Sequence, residues 1–238
     1  MDNKLKIQIW SDVMCPFCYI GKRKFEEALS QFENKDAVTI EWKSFQLDPT
    51  SNPKSGDNTI DHLAKKYNRD RDWSVAMHDS VTQQAKAVGL DYHFENVILA
   101  NSLNAHRLSH LAKKYDFGDA FEELLFKAYF TQGKDVNDLA TLTNLGLEVG
   151  LKKEEIDNVL NSNLYTSEVI QDQDEAQAIG VTGVPFFVFD NKYAVSGAQH
   201  PETFLKTLEK AWEDGNFNSK IILQNTTNAD SCGIDGCK

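Results

Sequence analysis

Cys15 and Cys18 stand three positions apart around Pro16 and Phe17, and a second pair, Cys232 and Cys237, stands five apart near the other end of the chain. Thiols so spaced support either of two chemistries. In thiol–disulfide exchange one thiolate attacks a disulfide sulfur, and a second thiol close by resolves the mixed disulfide. Alternatively a C-x2-C pair and a distant C-x4-C pair supply the four thiolates of a tetrahedral zinc site. Four cysteines in 238 residues are too few for a disulfide scaffold, so the choice lies between redox and metal chemistry.

The elements around the first pair favour redox chemistry. Leu5, Ile7 and Ile9 alternate with Lys6, Gln8 and Trp10, the period of a half-buried strand. Beyond the cysteines, Phe25, Ala28, Leu29 and Phe32 recur at helical spacing. Cys15 therefore falls at a strand-to-helix junction, where unpaired N–H groups and the helix dipole favour negative charge on its sulfur. Pro16 suits the first helical position, which has no use for an N–H. Cys18 follows about one turn later and faces inward. These positions predict Cys15 as an exposed nucleophile and Cys18 as the resolving thiol. A zinc site would have to draw Cys18 from a helix interior and recruit Cys232 and Cys237 from a polar segment that no strand or knuckle frames. No metal and no cofactor are expected.

Val38, Ile40 and Trp42 alternate as a second strand, completing a βαβ unit. Residues 49–59 are turn chemistry. From about residue 60 to 180 every periodic segment is helical, including a long helix over Val97–Tyr115 and one capped by Asn137 that ends at Gly150. Strand character returns in Pro185–Phe189, and Asp190, Asn191 and Lys192 turn the chain into Tyr193–Ser196. Pro201 opens a last helix, and a polar tail with a short apolar patch at Ile221–Leu223 follows Asp214. Neither flanking piece can bury a sheet alone. Together they make one four-stranded α/β sheet, βαβ then ββα, with an all-helical subdomain inserted. The expected division is residues 1–55 with 181–213 as the sheet domain, 60–180 as the helical subdomain, and 214–238 as the tail.

Composition narrows the function classes. Hydrophobic residues at 41% and charged residues at 26% are those of an ordinary globular protein, and the net charge of −11 repels a phosphate backbone, so no nucleic-acid partner is expected. No apolar run approaches the ~20 residues of a membrane span. The N-terminal segment alternates almost at once instead of running apolar, which predicts a cytoplasmic protein. His106 and His110 lie four apart on one helical face, but Arg107 stands where a metalloprotease helix carries Glu, and no third ligand accompanies them.

The run from Ser11 through Asp12, Cys15, Pro16, Phe17, Cys18, Tyr19, Ile20 and Gly21 to Lys22 closely resembles the active-site segment of the DsbA-like proteins, in particular their cytosolic FrnE-like branch. Phe45–Pro49, Asn101–Leu108 and Gly180–Phe189 match as well, and the likeness extends over about residues 5–212 and to the Cys232/Cys237 pair. The resemblance implies a thioredoxin-like fold with a helical insertion, redox activity at Cys15 and Cys18, and a cis Val184–Pro185 bond facing them. Phe17, Val184 and Pro185 are the implied substrate-binding positions. A cis X–Pro bond turns the chain sharply and leaves the preceding residue's backbone free to pair with an extended substrate.

In one respect the chain departs from the best-known periplasmic members, which carry His where Phe17 stands. A neutral ring cannot help hold a thiolate as an imidazolium does, so a less oxidising couple is expected, acting in reduction or isomerisation. The implied partners are a disulfide-containing protein or small molecule and a cellular thiol reductant. The runner-up reading is a glutathione-dependent isomerase or transferase of the hydroxychromene-carboxylate isomerase and kappa-class type, which share the architecture and lack the dithiol. For Cys232 and Cys237, with Gly233 and Gly236 between them, the alternatives are a second redox pair that exchanges with the first, a pair that only pins the tail, and one with weak metal affinity.

Overall fold

The alternating apolar residues of Leu5–Ser11 form β1, with Leu5, Ile7 and Ile9 buried and Trp10 and Ser11 buried as well, and Pro16–Gln31 form α1. The computed structural model describes residues 4–54 and 57–215, with the backbone of three short strands at 222–223, 232–233 and 236–237. The chain then forms β2 (Val38–Ser44), α2 (Thr59–Lys66), α3 (Arg71–Ala87), α4 (Leu103–Lys114), α5 (Gly118–Phe126), α6 (Leu139–Val149), α7 (Lys153–Leu160) and α8 (Thr166–Ala178). After these come β3 (Gly183–Val184), β4 (Phe186–Phe189), β5 (Tyr193–Ser196) and α9 (Pro201–Asp214), and finally β6 (Ile222–Leu223), β7 (Cys232–Gly233) and β8 (Gly236–Cys237). Two compact units result, Met1–Phe45 with Asp172–Lys238, and Gln46–Gln171.

The first unit is built on a mixed sheet of order β2-β1-β4-β5-β6. β1 runs parallel to β2, Leu5 opposite Val38, and antiparallel to β4, Ile9 opposite Phe187. Asp190 (φ 51°) and Asn191 (φ 56°) adopt the left-handed pair of a tight hairpin turn between β4 and β5. Phe25 of α1, Phe187 of β4 and Phe204 of α9 interlock, with ring centroids 5.6 Å (25–187), 5.8 Å (25–204) and 4.6 Å (187–204) apart. This is the thioredoxin-like architecture the sequence predicts, with corrections in the segment read as a strandless tail: Cys232 and Cys237 lie in β7 and β8, which join β3 in a second sheet of order β3-β7-β8. The mixed sheet also has a fifth strand, because Ile222–Leu223 pairs in parallel with β5. Two residues are too few to show alternation, so the sequence read this patch as tail.

A buried polar cluster fixes the β1–β2 pair. The Trp10 indole donates to the Asp172 carbonyl at 2.8 Å, and the Asp172 carboxylate accepts from the Ser44 N–H at 2.9 Å and from Lys43 Nζ at 2.8 Å. Glu175 also accepts from Lys43, at 2.9 Å. Burial alone would lower the pKa of Lys43, but the Asp172 and Glu175 carboxylates outweigh it and hold the ammonium well above its ordinary range.

In the second unit, Asn101 explains why α4 starts at Leu103 and not at Val97. Its Oδ1 accepts from Gln46 Nε2 (3.1 Å) and the Leu103 N–H (3.0 Å), while Nδ2 donates to the carbonyls of Pro49 (3.3 Å) and Ser51 (3.0 Å). The side chain competes with the helix for the local backbone and wins. The cap of α6 is likewise Asp138, accepting from the Thr141 N–H at 2.7 Å, and not Asn137. Arg107, 4% exposed, donates to the carbonyls of Leu164 (2.8 Å), Val159 and Ser162 and to Asn104 Oδ1 (2.9 Å). It therefore clasps the C-terminal end of α7 and the loop that follows. His110 stacks on Tyr165 with rings 6.2 Å apart. Among the described residues no group of three or more His, Cys, Asp or Glu is placed to hold a metal, and no helix is long and apolar enough to cross a membrane.

Removing one partner of a buried ion pair leaves the other charged and unpaired. Asp172→Ala is expected to lower stability by about 3 kcal/mol, with Lys43 still partly held by Glu175. Urea unfolding measures it, and a loss within a few tenths of a kcal/mol would show that the cluster does not hold the strand pair.

Candidate active site

Between the end of β1 at Ser11 and the start of α1 at Pro16 the chain turns in four residues. The Cys15 N–H donates to the Asp12 carbonyl at 2.9 Å, the Cys18 N–H to the Cys15 carbonyl at 3.0 Å, and the Met14 N–H to Asp12 Oδ1 at 3.2 Å. Across the sheet the Phe45 N–H donates to the Ser11 carbonyl at 2.9 Å, fixing the last residue of the strand. Cys15 is the N-cap residue of α1 with extended backbone, and Pro16 follows as its first helical residue. The sulfur of Cys15 thus lies at the end of the helix where unpaired N–H groups gather.

Both thiols are free and hydrogen-bonded to each other, and both residues are buried, Cys15 at 0% and Cys18 at 1% exposure. Burial raises the pKa of Cys18 well above the ordinary thiol value, and the bond to Cys15 and the charge that Cys15 can carry raise it further. The Ser11 side chain and the Asp12 backbone N–H act in the opposite sense. The expectation of an exposed Cys15 is not met in this state. Its thiol donates to the Val184 carbonyl at 3.5 Å, and the backbone edge of β3 at Gly183–Val184 is occupied by β7, Val184 opposite Cys232 and Gly183 opposite Gly233.

The Val184–Pro185 peptide bond is cis. The Pro185 carbonyl accepts from the Gly197 N–H at 2.8 Å, which ties this loop to the end of β5. The Val184 carbonyl therefore meets Cys15, whereas Phe17 is turned into the protein at 2% exposure. Cys232 and Cys237 face each other across the β7–β8 pair by backbone register. Three residues carried no assigned role in the sequence reading: Ser11 and Asp12 beside Cys18, and Gly21 against Pro185. A polar pair at the end of the strand, just before the cysteines, was the available signal for the first two.

With this geometry in view the comparisons with known proteins become specific. Residues 6–209 match the DSBA-like thioredoxin domain. The chain belongs to that family. A probable DsbA oxidoreductase from Streptomyces coelicolor has the same DsbA-like fold, at 36% identity and a TM-score of 0.83 over 98% of each chain. YwbO, an uncharacterized protein of Bacillus subtilis strain 168, is 29% identical over 204 residues, covering 85% of this chain and 94% of the relative. The cytosolic disulfide reductase DsbM from Pseudomonas aeruginosa aligns with 88% of this DsbA-like chain and 99% of its own, at a TM-score of 0.61. At 14% identity that likeness shows the shared fold alone.

Gly21 is where the DsbA-like helix passes the proline loop. A Cβ at this position would stand 2.9 Å from Pro185 Cγ and 3.5 Å from Phe187 Cζ, closer to the proline ring than side chains tolerate. Gly21→Ala is therefore expected to cost about 1–3 kcal/mol, the usual range for overpacking. The Gly21→Ala/Pro185→Ala pair should recover part of that loss, because the ring atom in the way is gone. Thermal unfolding of the two single variants and the double variant tests it, and strictly additive losses would contradict the contact.

Proposed function

We propose that the protein is a dithiol–disulfide oxidoreductase of the cytosolic FrnE-like branch, acting as a reductase or isomerase through Cys15 and Cys18. The observation that carries this reading is the asymmetry of the two neighbouring thiols. Cys18 is held protonated by burial beside Cys15, while Cys15 sits at the helix N-terminus against the Val184 carbonyl. Cys15 attacks a sulfur of the substrate disulfide, one substrate thiolate leaves, and a mixed disulfide remains on Cys15. Cys18 then attacks Cys15, releasing the second substrate thiol and leaving Cys15–Cys18 oxidised. A cellular thiol reductant returns the pair to the dithiol. The apolar Phe17 between the cysteines supports a less oxidising couple than a charged imidazole would give. The complete dithiol favours this reading over a glutathione-dependent isomerase or transferase, which needs no second thiol.

With an insulin or small-molecule disulfide as substrate and glutathione as reductant, Cys15→Ser is expected to abolish reductase activity. Cys18→Ser should instead accumulate a covalent Cys15–substrate adduct visible by mass spectrometry. Full activity in Cys15→Ser would sink the mechanism.

The second pair enters the same reading as a relay. β7 takes the position along β3 that an extended substrate takes when it adds a strand to the proline loop, and Cys232 is the residue opposite Val184. A disulfide between Cys232 and Cys237 is then a tethered substrate at high effective concentration. Cys15 attacks it, Cys18 resolves, and two electrons pass from the Cys15/Cys18 dithiol to the tail pair. Release of β7 opens the β3 edge to other substrates. Replacing Cys232 and Cys237 together by Ser is expected to lower turnover and shift the measured potential of the Cys15/Cys18 couple. Unchanged turnover and potential, with no Cys15–tail disulfide trapped by Cys18→Ser, would leave the tail pair without a redox part.

A further inference from the structure

Lys22, Arg23 and Lys24 follow one another on α1, and they go to different places. Lys22 pairs with Glu26 Oε1, and Arg23 with Glu26 Oε2 at 2.7 Å. Lys24 instead crosses to the loop after β5, where its Nζ donates to the Ala198 carbonyl at 2.8 Å. A charged donor holds a backbone carbonyl more firmly than a neutral one does.

That loop is built around Gly197, whose φ of 80° lies in the left-handed region. The Gly197 N–H donates to the Pro185 carbonyl at 2.8 Å, and its carbonyl accepts from the Gln199 N–H at 3.0 Å. Gln199 Nε2 returns to the Ser196 carbonyl at 2.9 Å, closing the loop on itself. Along α1 the contacts run in order. The Cys15 thiol meets the Val184 carbonyl at 3.5 Å. A Cβ at Gly21 would stand 2.9 Å from Pro185 Cγ and 3.6 Å from Ala198 Cα, and Lys24 holds Ala198. Gly21 and Lys24 are three apart on one helix face, so bare backbone and lysine serve the same loop. Lys24, Ala198, Gly197, Pro185, Val184 and Cys15 thus close a circuit through the helix that carries the nucleophile.

Resting on the dithiol reading above, we propose that Lys24 is a positioning residue that aligns extended, strand-pairing disulfides for attack. By holding the Ala198 carbonyl it sets where the β3 edge at Val184 stands relative to the Cys15 sulfur. A peptide paired along β3 takes its position from Val184. Its disulfide must lie in line with the Cys15 sulfur, and a misplacement of about 1 Å costs a bound reactant much of its rate. A small disulfide has no backbone to pair and reaches Cys15 without the edge. The lysine therefore acts through the loop, on extended substrates and not on small ones.

The test follows a single turnover of the fully reduced protein with two disulfides that carry the same chromogenic thiol, one joined to the cysteine of an extended peptide and one to mercaptoethanol. In each, Cys15 bonds to the peptide or mercaptoethanol sulfur, the substrate S–S bond breaks, and the chromogenic thiolate leaves with the bonding electron pair. Lys24→Met keeps the stem and removes the donor. For the peptide its limiting rate is expected to fall about tenfold at an unchanged half-saturating concentration, because the edge still pairs but presents the disulfide out of line. The mercaptoethanol disulfide should react within about twofold of the wild-type rate. Lys24→Gln, whose amide is too short to reach Ala198, should behave as Met does, and Lys24→Arg, which keeps a charged donor, should recover the peptide rate. An unchanged peptide rate in the Met and Gln variants overturns the proposal. Equal slowing of both disulfides also overturns it, since that marks a disturbance of Cys15 itself, as does an Arg variant no faster than Met. A raised half-saturating concentration at an unchanged limiting rate counts against it in the same way, because the edge has then lost its pairing and not its place. A wild-type protein that releases the chromogenic thiol from neither disulfide refutes the dithiol reading, a result distinct from these.

Discussion

A sulfur in a dry site resists charge, and disulfide exchange requires charge on sulfur. The β1-to-α1 turn gives the two thiols different surroundings. Cys15 caps the helix, where backbone N–H groups converge, and Cys18 lies one turn inward, where burial raises its pKa. The difference exists only because the turn is held tightly. The Asp12 carbonyl takes the Cys15 N–H, and the Ser11 carbonyl takes the Phe45 N–H of the chain leaving β2. Were Ser11 or Asp12 displaced, the donors that favour the Cys18 thiolate would move with them.

The same logic governs the buried polar groups elsewhere. Asp172 is nearly inaccessible, yet its two carboxylate oxygens meet Lys43 and the Ser44 N–H, and its carbonyl receives the Trp10 indole. Arg107 is buried against the carbonyl-rich end of α7, where the helix dipole favours a cation. Asn101 gathers Gln46, Pro49, Ser51 and Leu103 around one carboxamide. Each fixes the path of a loop that apolar packing alone would leave unspecified, because hydrogen bonds have direction and burial does not. The motif segments Phe45–Pro49 and Asn101–Leu108 meet at such a point through Gln46 and Asn101, and Arg107, within the second segment, holds another.

The β3 edge shows how one backbone feature can take several partners. Its backbone groups pair by direction alone, so an extended segment of any sequence fits them. In this chain the segment in place is its own β7. An edge so occupied is also protected from pairing with the wrong strand.

The sequence by itself determined the strand-to-helix junction at the cysteines, the inserted helical block and the hairpin at Asp190–Asn191. Each is local: alternation, helical periodicity and turn chemistry lie within a few residues of one another. The resemblance to the DsbA-like proteins also led to the cis Val184–Pro185 bond. Helix starts were less legible, since Asn101 and Asn137 are both good caps in isolation, and only the Gln46, Pro49 and Ser51 partners of Asn101 decide its use. Tertiary structure alone decided the burial of Cys15 and Phe17 and the pairing of Cys232 with Val184. These depend on which distant segments are brought together. A sulfur's charge is set by the groups that surround it in space, and neighbours in the chain account for only some of them.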